Sequence, residues 1–165
     1  MISIRKLTME DSVTTFAYSS DAENVFYMLN SPFLTLEETV KFLAKCIAEY
    51  KKEKPKYLSY AVIYEGVHVG EVFASIDGNV ADIGWLIDKH YWGKGIATCG
   101  ASLLVEHLKK ELGILHFVAY CDARNIQSKR IMEKIGMQFA GVNGIRNYDK
   151  DVSPGEELKY QLCLQ

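Results

Sequence analysis

The sequence predicts an α/β (α+β) fold, one domain spanning residues 1–165, with a mixed, mostly antiparallel twisted sheet flanked by helices. Three observations carry this. Tyr57–Asp88 holds three strand-like runs separated only by short turn signals, which is a meander. A strand, helix and strand then follow over Val80–Asp88, Ile96–Leu112 and His116–Cys121, which requires a parallel pair within that sheet. The chain has 165 residues, enough for one substantial core and too few for two.

Taken in order, Ile2–Leu7 reads as the first strand. Glu10 to about Met28 is loosely helical, with a break near Ser19–Asp21. Thr35-Leu-Glu-Glu38 is a capping box and starts the next helix. Leu36, Val40, Leu43, Ile47 and Tyr50 form its apolar stripe, Lys51, Lys52 and Lys54 suit its C-terminal end, and Pro55 stops it. Tyr57–Tyr64, His68–Ile76 and Val80–Asp88 are the meander strands, with turns at Glu65-Gly66 and Asp77-Gly78. The helix Ile96–Leu112 stops at Gly113, and the near-continuous apolar run His116–Cys121 suits a buried strand. Asn125 can cap a helix over Ile126–Ile135. Met137–Val142 and Leu158–Leu164 are the last strands.

Composition narrows the function. Hydrophobic residues make up 48% and charged residues 24%, as in ordinary globular proteins. A net charge of −2 supplies no basic field for nucleic acid. No run approaches the roughly 18 apolar residues of a membrane span, and the N-terminus lacks a secretory apolar core, so a cytoplasmic protein without membrane contact is expected. Cys46, Cys99, Cys121 and Cys163 are widely spaced in apolar stretches. Buried reduced thiols are expected of them, and no metal site.

The segment Lys89–Thr98 joins a strand to a helix and carries Gly93 and Gly95. Such glycines let the backbone approach a ligand, and the unpaired N–H groups of a first helical turn favour a diphosphate. A Walker A loop is excluded, because Gly95 stands where Ser or Thr must follow Lys94 and Asp88 replaces the earlier glycine. A dinucleotide site fits in part, with Asp122 as the ribose acid, but Thr98 replaces its third glycine and a meander precedes the unit. A turn with no ligand is a further alternative to a phosphate-bearing one.

The segments Ile83-Gly-Trp-Leu-Ile-Asp88, Tyr91-Trp-Gly-Lys-Gly-Ile-Ala-Thr98, Asn125-Ile-Gln-Ser128 and Glu133-Lys-Ile-Gly-Met137 together resemble the GNAT N-acetyltransferase superfamily. They look most like its branch of ribosomal-protein N-terminal acetyltransferases. The superfamily's loop pattern of Gln or Arg, two residues, Gly, one residue, then Gly or Ala falls on Trp92, Gly95 and Ala97. Trp92 departs from the general pattern and matches the branch.

The resemblance implies a GNAT-type acyl-coenzyme A N-acyltransferase fold. It implies acetyl-CoA as co-substrate, no metal, and a primary amine as acceptor, either a protein N-terminus or a small amine. By resemblance, N–H groups of Gly93, Lys94, Gly95, Ile96, Ala97 and Thr98 bind the diphosphate. Backbone groups of Leu86 and Ile87 pair with the pantetheine arm, Asn125 bonds it from the other side, and an N–H near Leu86 or Ile87 holds the oxyanion. The chain would act as a monomer or homodimer. A non-catalytic acyl-CoA sensor on the same fold is the alternative function.

Direct attack on a thioester needs a base for the amine and a proton for the thiolate. Many superfamily members place a Tyr seven residues after the Asn, but that position is Met132. The branch places a Ser three after it, which makes Ser128 the candidate acid, the alternative being a first-turn serine bonding backbone. No cysteine is assigned as nucleophile. Glu71 is the candidate base, because apolar neighbours Val69, Gly70, Val72, Phe73 and Ala74 can desolvate it and raise its pKa; it can equally stand exposed at a strand end. Glu106, Glu111, Tyr148, Asp149 and a water chain are the other options. Trp85 is a candidate for the acceptor pocket or the core. His90, Lys129 and Arg130 could touch the coenzyme, or else face solvent, and His116 is expected to be structural. Asp21–Leu36 and Asn143–Gly155 shape the acceptor pocket in such proteins and carry no readable code here.

Overall fold

The computed structural model describes residues 1–165. Seven strands form one sheet: β1 (Ile2–Lys6), β2 (Tyr57–Tyr64), β3 (Val67–Asp77), β4 (Val80–Ile87), β5 (His116–Asp122), β6 (Gln138–Arg146) and β7 (Gly155–Cys163). Their spatial order is β1-β2-β3-β4-β5-β7-β6. All neighbours are antiparallel except β4 and β5, the parallel pair that the strand, helix, strand unit predicted. Four helices flank the sheet: α1 (Ser12–Ser19), α2 (Leu36–Glu49), α3 (Ile96–Leu112) and α4 (Ile126–Lys134).

The helices divide the sheet's two faces. Alternate side chains of a strand point to opposite faces. Val62, Val72, Ala74, Ile83 and Ile87 meet Ile96, Leu104 and Leu108 of α3 and Met132 of α4 in the main core. Burying each of the larger of these side chains contributes roughly 1.5–3 kcal/mol. Gly100 lets α3 lie close, since a Cβ there would stand 3.2 Å from Val72 Cγ1. On the other face, Leu7 and Ala61 meet Leu43 and Cys46 of α2, and Leu86 meets Tyr18 of α1 and Val25.

Local signals fixed most starts and stops. The capping box is formed, with Thr35 Oγ1 accepting the Glu38 N–H over 3.3 Å and Glu38 Oε2 accepting the Thr35 N–H over 3.2 Å. Asp11 sits just before α1 and takes a two-point bond from Arg5, 2.8 Å each, which ties that helix to the end of β1.

Several elements differ from expectation. Helical structure from Glu10 ends at Ser19, and turns occupy the stretch to Met28. α2 ends at Glu49, five residues before Lys54, and Tyr50 just beyond it turns its hydroxyl to the Leu7 N–H and the Ser59 carbonyl, bridging β1 and β2. β6 runs to Arg146, beyond Val142, since two register shifts against β7 absorb extra residues. β7 begins at Gly155, directly after Pro154. Of the cysteines, Cys46 and Cys121 are buried, Cys99 is half-buried and Cys163 is exposed, so the expectation of four buried thiols holds for two. No helix is long and apolar enough to cross a membrane.

Candidate active site

The parallel pairing of β4 and β5 stops at Asp82 with Val118. Both strands continue, β4 to Ile87 and β5 to Asp122, but no longer bonded to each other. The sheet therefore opens like a wedge, and a cleft of about 1240 Å³ runs through the opening from one face to the other.

Ladder phase decides which backbone groups look into the wedge. The Asp88 N–H donates to Val69 O over 2.9 Å. Antiparallel bonding alternates by residue, so 82, 84 and 86 also turn their backbone groups to β3, while 83, 85 and 87 turn theirs towards β5. Ile87 turns its backbone groups to the gap, although its carbonyl already accepts the Trp92 indole N–H over 2.8 Å. Leu86 does not: its backbone groups belong to the ladder with Glu71, and Trp85 supplies the neighbouring N–H and C=O that face the gap.

The loop after β4 leaves N–H groups of a helix start without partners. Asp88 caps a short 3-10 turn at Lys89–Tyr91, accepting the His90 N–H over 3.0 Å and lying 2.7 Å from His90 Nδ1. Gly93 and Gly95 have φ of +76° and +73°, the left-handed region that L side chains resist. Gly95 is the N-cap of α3 and provides no side chain, so the first-turn N–H groups of Ile96, Ala97 and Thr98 have no capping partner. Lys94 Nζ lies over the rings of Tyr64 and Tyr91, 5.7 and 5.3 Å from their centroids.

Across the gap, β5 delivers Asn125 to the start of α4. Asn125 Oδ1 accepts the Ser128 N–H over 3.2 Å, and Asn125 Nδ2 donates to Ser128 Oγ over 3.1 Å. The serine oxygen is thus an acceptor from the amide, which leaves its own O–H proton free to point into the cleft. Asp122 anchors this corner. It is fully buried, takes three bonds from Arg124 (two from the side chain and one from the backbone N–H) and one from the Tyr148 hydroxyl, and is held at about 2, chiefly by Arg124. Asp122 is therefore committed to the fold and not available to a ribose. Met132 is buried one turn beyond Ser128. Cys121 also lines the cleft, but burial pushes its thiol up to about 11, which disfavours the nucleophilic thiolate.

Glu71 lies on the α1–α2 face of the sheet, where it lines the cleft while only 6% exposed. Burial raises its pKa to about 7, against an opposing bond from Ser59 Oγ at 3.0 Å. Of the two environments open to it in sequence, the desolvated one is realised. Trp85 goes the other way. Its register partner is Val72, and its ring packs against the main core on the α3 side, opposite Glu71. Period-two alternation thus turns Trp85 to the α3 side of the cleft, which it still lines, and Leu86 to the α1–α2 side.

Of the other candidates, Glu106, Glu111 and Arg130 are exposed on helices, and His116 starts β5 at its closed end beside Cys163 Sγ at 3.4 Å. Tyr148 and Asp149 act as fasteners. Asp149 donates its N–H to Leu29 O, Arg146 donates to Tyr27 O, and Lys150 donates to the carbonyls of Val25 and Asn30. The 147–150 loop so holds the 20–33 segment over the α1–α2 side of the cleft.

Sequence reasoning missed Asp82, Arg146 and Glu157 there. Arg146 bonds Glu157 over 2.8 Å. Crowding by the cleft walls, then Glu157, raises Asp82 to about 6 although its surface remains open to solvent. Parity with Leu86 along β4 was the available signal for Asp82. Arg146 and Glu157 had none, because register shifts in β6 break the alternation.

Comparison with known proteins agrees with this architecture. The profile of the acetyltransferase (GNAT) domain matches residues 2–138. The chain is 30% identical over 139 residues to the uncharacterized N-acetyltransferase YnaD of Bacillus subtilis (strain 168), covering 84% of this chain and 79% of that one. It superposes on an acetyltransferase (GNAT family) from Bacillus anthracis with a TM-score of 0.81 at 27% identity, covering 98% and 94% of the two chains. RimL, a ribosomal L7/L12 alpha-N-protein acetyltransferase solved with coenzyme A, gives a TM-score of 0.89 at 17% identity over 99% and 94%, a likeness of fold.

Proposed function

The chain belongs to the GNAT acetyltransferase family, and we propose that it moves the acetyl group of acetyl-CoA onto a primary amine by direct attack within a ternary complex. The observation that carries this is the wedge between β4 and β5, with Glu71 on one side of it and Ser128 on the other, both lining one cleft. Its volume of about 1240 Å³ exceeds the roughly 300–1,000 Å³ of a single-ligand pocket, as two substrates require.

In this reading the first-turn N–H groups of α3 and the Gly93–Gly95 loop bind the diphosphate. The pantetheine amides bond to Trp85 and Ile87 backbone groups, as an added strand would. Acetyl-CoA comes from the side of α3 and α4, and the amine from the side of α1 and α2. Glu71 takes a proton from the ammonium, and the nitrogen lone pair attacks the thioester carbon. A gap-facing N–H of β4 stabilises the oxyanion. As the C–S bond breaks the nitrogen gives its second proton to solvent, and the thiolate takes the Ser128 proton, which solvent replaces. The protein would work in the cytoplasm as a monomer or homodimer.

The test is thiol release from acetyl-CoA by the purified protein with a panel of primary amines. Amine-dependent release supports the proposal. Tight coenzyme A binding with no release on any amine overturns it in favour of an acyl-CoA sensor.

A further inference from the structure

We propose that the acceptor is a primary amine joined by a two- or three-carbon link to an aromatic ring, with Glu71 receiving the amine and Phe73 the ring. This rests on the acetyl-transfer function above and names its substrate class.

The acceptor side of the cleft has an aromatic wall. Phe33, Phe42, Tyr57 and Phe73 follow one another with centroids 5.9, 6.5 and 6.2 Å apart, and all four line the cleft. They come from the segment before α2, from α2 itself, from β2 and from β3. The last pair, Tyr57 and Phe73, is stacked with an interplanar angle of 30°. All four rings are only part-buried, so they keep surface for a ligand.

Phe73 is held in place by its neighbours. Its register partner across β4 is Gly84, and a Cβ at that position would lie 2.4 Å from the Phe73 ring. The ring therefore occupies the space over the glycine, with Tyr57 beside it.

Spacing then ties ring to amine. Glu71 and Phe73 are two residues apart on one strand and so share a face, separated by roughly 7 Å. An ammonium bonded to Glu71 places a ring over Phe73 when two or three carbons join them. Charge complementarity at Glu71 selects the amine, and offset or edge contacts with the wall select the ring. Asp82 lies beyond Phe73 on the β4 side, whereas the α2 side of the wall disfavours a second cation. Lys45 lines it without an ion-pair partner, beside Lys41, which pairs with Glu37 over 3.2 Å. Glu38, on the same helix, is occupied in capping.

The experiment is calorimetric titration of the coenzyme A-loaded protein with 2-phenylethylamine, 2-cyclohexylethylamine, n-butylamine and spermidine. The expected result is 2-phenylethylamine binding roughly three- to tenfold more tightly than its cyclohexyl counterpart, the range for an aromatic pair. Spermidine should bind more weakly still. Phe73→Leu should erase the phenyl-over-cyclohexyl preference while coenzyme A affinity stays the same, and the wild-type ranking tests the idea by itself if that variant does not fold. Equal affinities for phenyl and cyclohexyl amines, tightest binding of spermidine, or binding of none of the four overturns the proposal. Acetylation of amines without this ranking removes only the aromatic acceptor. Failure to release thiol with any amine removes the acetyl-transfer function itself.

Discussion

Asn125 holds Ser128 twice, through the backbone N–H at 3.2 Å and the hydroxyl oxygen at 3.1 Å. One side chain both caps α4 and fixes which way the serine proton can point. Ser128→Ala is expected to lower kcat by about tenfold or more while the KM for acetyl-CoA changes little, since general acid assistance acts in the transition state. Asn125→Asp separates the two duties. It keeps a capping oxygen but loses the Nδ2 donor, so turnover should fall with the melting temperature nearly unchanged. Steady-state kinetics with thermal melts reads both, and an unaltered kcat in Ser128→Ala would remove the serine from the proton path.

Glu71 should set the acid limb of the pH profile. With its pKa at about 7, kcat/KM is expected to fall as pH drops below that value. Ser59→Ala removes the bond that favours the carboxylate, so the limb should move to higher pH. Glu71→Gln should lower turnover by about 10²–10⁴-fold. A flat profile in the wild type would assign the base elsewhere.

The same carboxyl affects stability with a definite sign. Its folded pKa of about 7 lies above the ordinary 4.5, so the folded chain holds the extra proton through that window. Stability from this proton is complete below about 4.5 and is lost as pH rises through about 7. Glu71→Gln should therefore stabilise the protein at pH 8, by up to the order of 3 kcal/mol, and have little effect near pH 4.5. Denaturant melts at the two pH values check this. A variant that is less stable at pH 8 would contradict the desolvation of Glu71.

Gly95→Asp is expected to weaken coenzyme A binding by more than about tenfold. The left-handed φ of +73° costs roughly 1–2 kcal/mol for an L residue, and a carboxylate there would oppose a diphosphate. Gly95→Ala should show the conformational part alone. Calorimetry on folded variants separates the two, and unchanged affinity in Gly95→Asp would displace the diphosphate from this loop.

Lys150→Met should free the 20–33 segment, because its ammonium bridges the carbonyls of Val25 and Asn30. Hydrogen exchange should quicken over residues 24–31. The KM of the amine should rise severalfold with that of acetyl-CoA unchanged, as charged hydrogen bonds of about 1.5–3 kcal/mol are lost. A larger effect on acetyl-CoA would mean that the segment covers the wrong side of the cleft.

Much of this site could be read locally. The meander, the Thr35–Glu38 box, the glycines before α3 and the Asn125–Ser128 pair are signals within a few residues of one another, set by backbone sterics and short-range hydrogen bonds. Less legible were the positions that depend on a partner strand. Leu86 and Trp85 exchange their expected places, because parity along β4 fixes only that they differ. Which of them faces the wedge with its backbone, and which faces α1 with its side chain, was settled by the Asp88-to-Val69 bond and the helices on each face.

The sequence by itself determined the element order, the parallel pair within an antiparallel sheet, the glycine loop that opens α3 and the amide-serine pair, since each follows from spacing and local chemistry. Only the tertiary structure decided that β4 and β5 part after Asp82, that Glu71 is desolvated enough to titrate at about 7, and that four rings from separate elements align beside it. Those features arise where residues distant in the chain pack together. Burial, dielectric and shape are properties of that packing, and no single segment contains them.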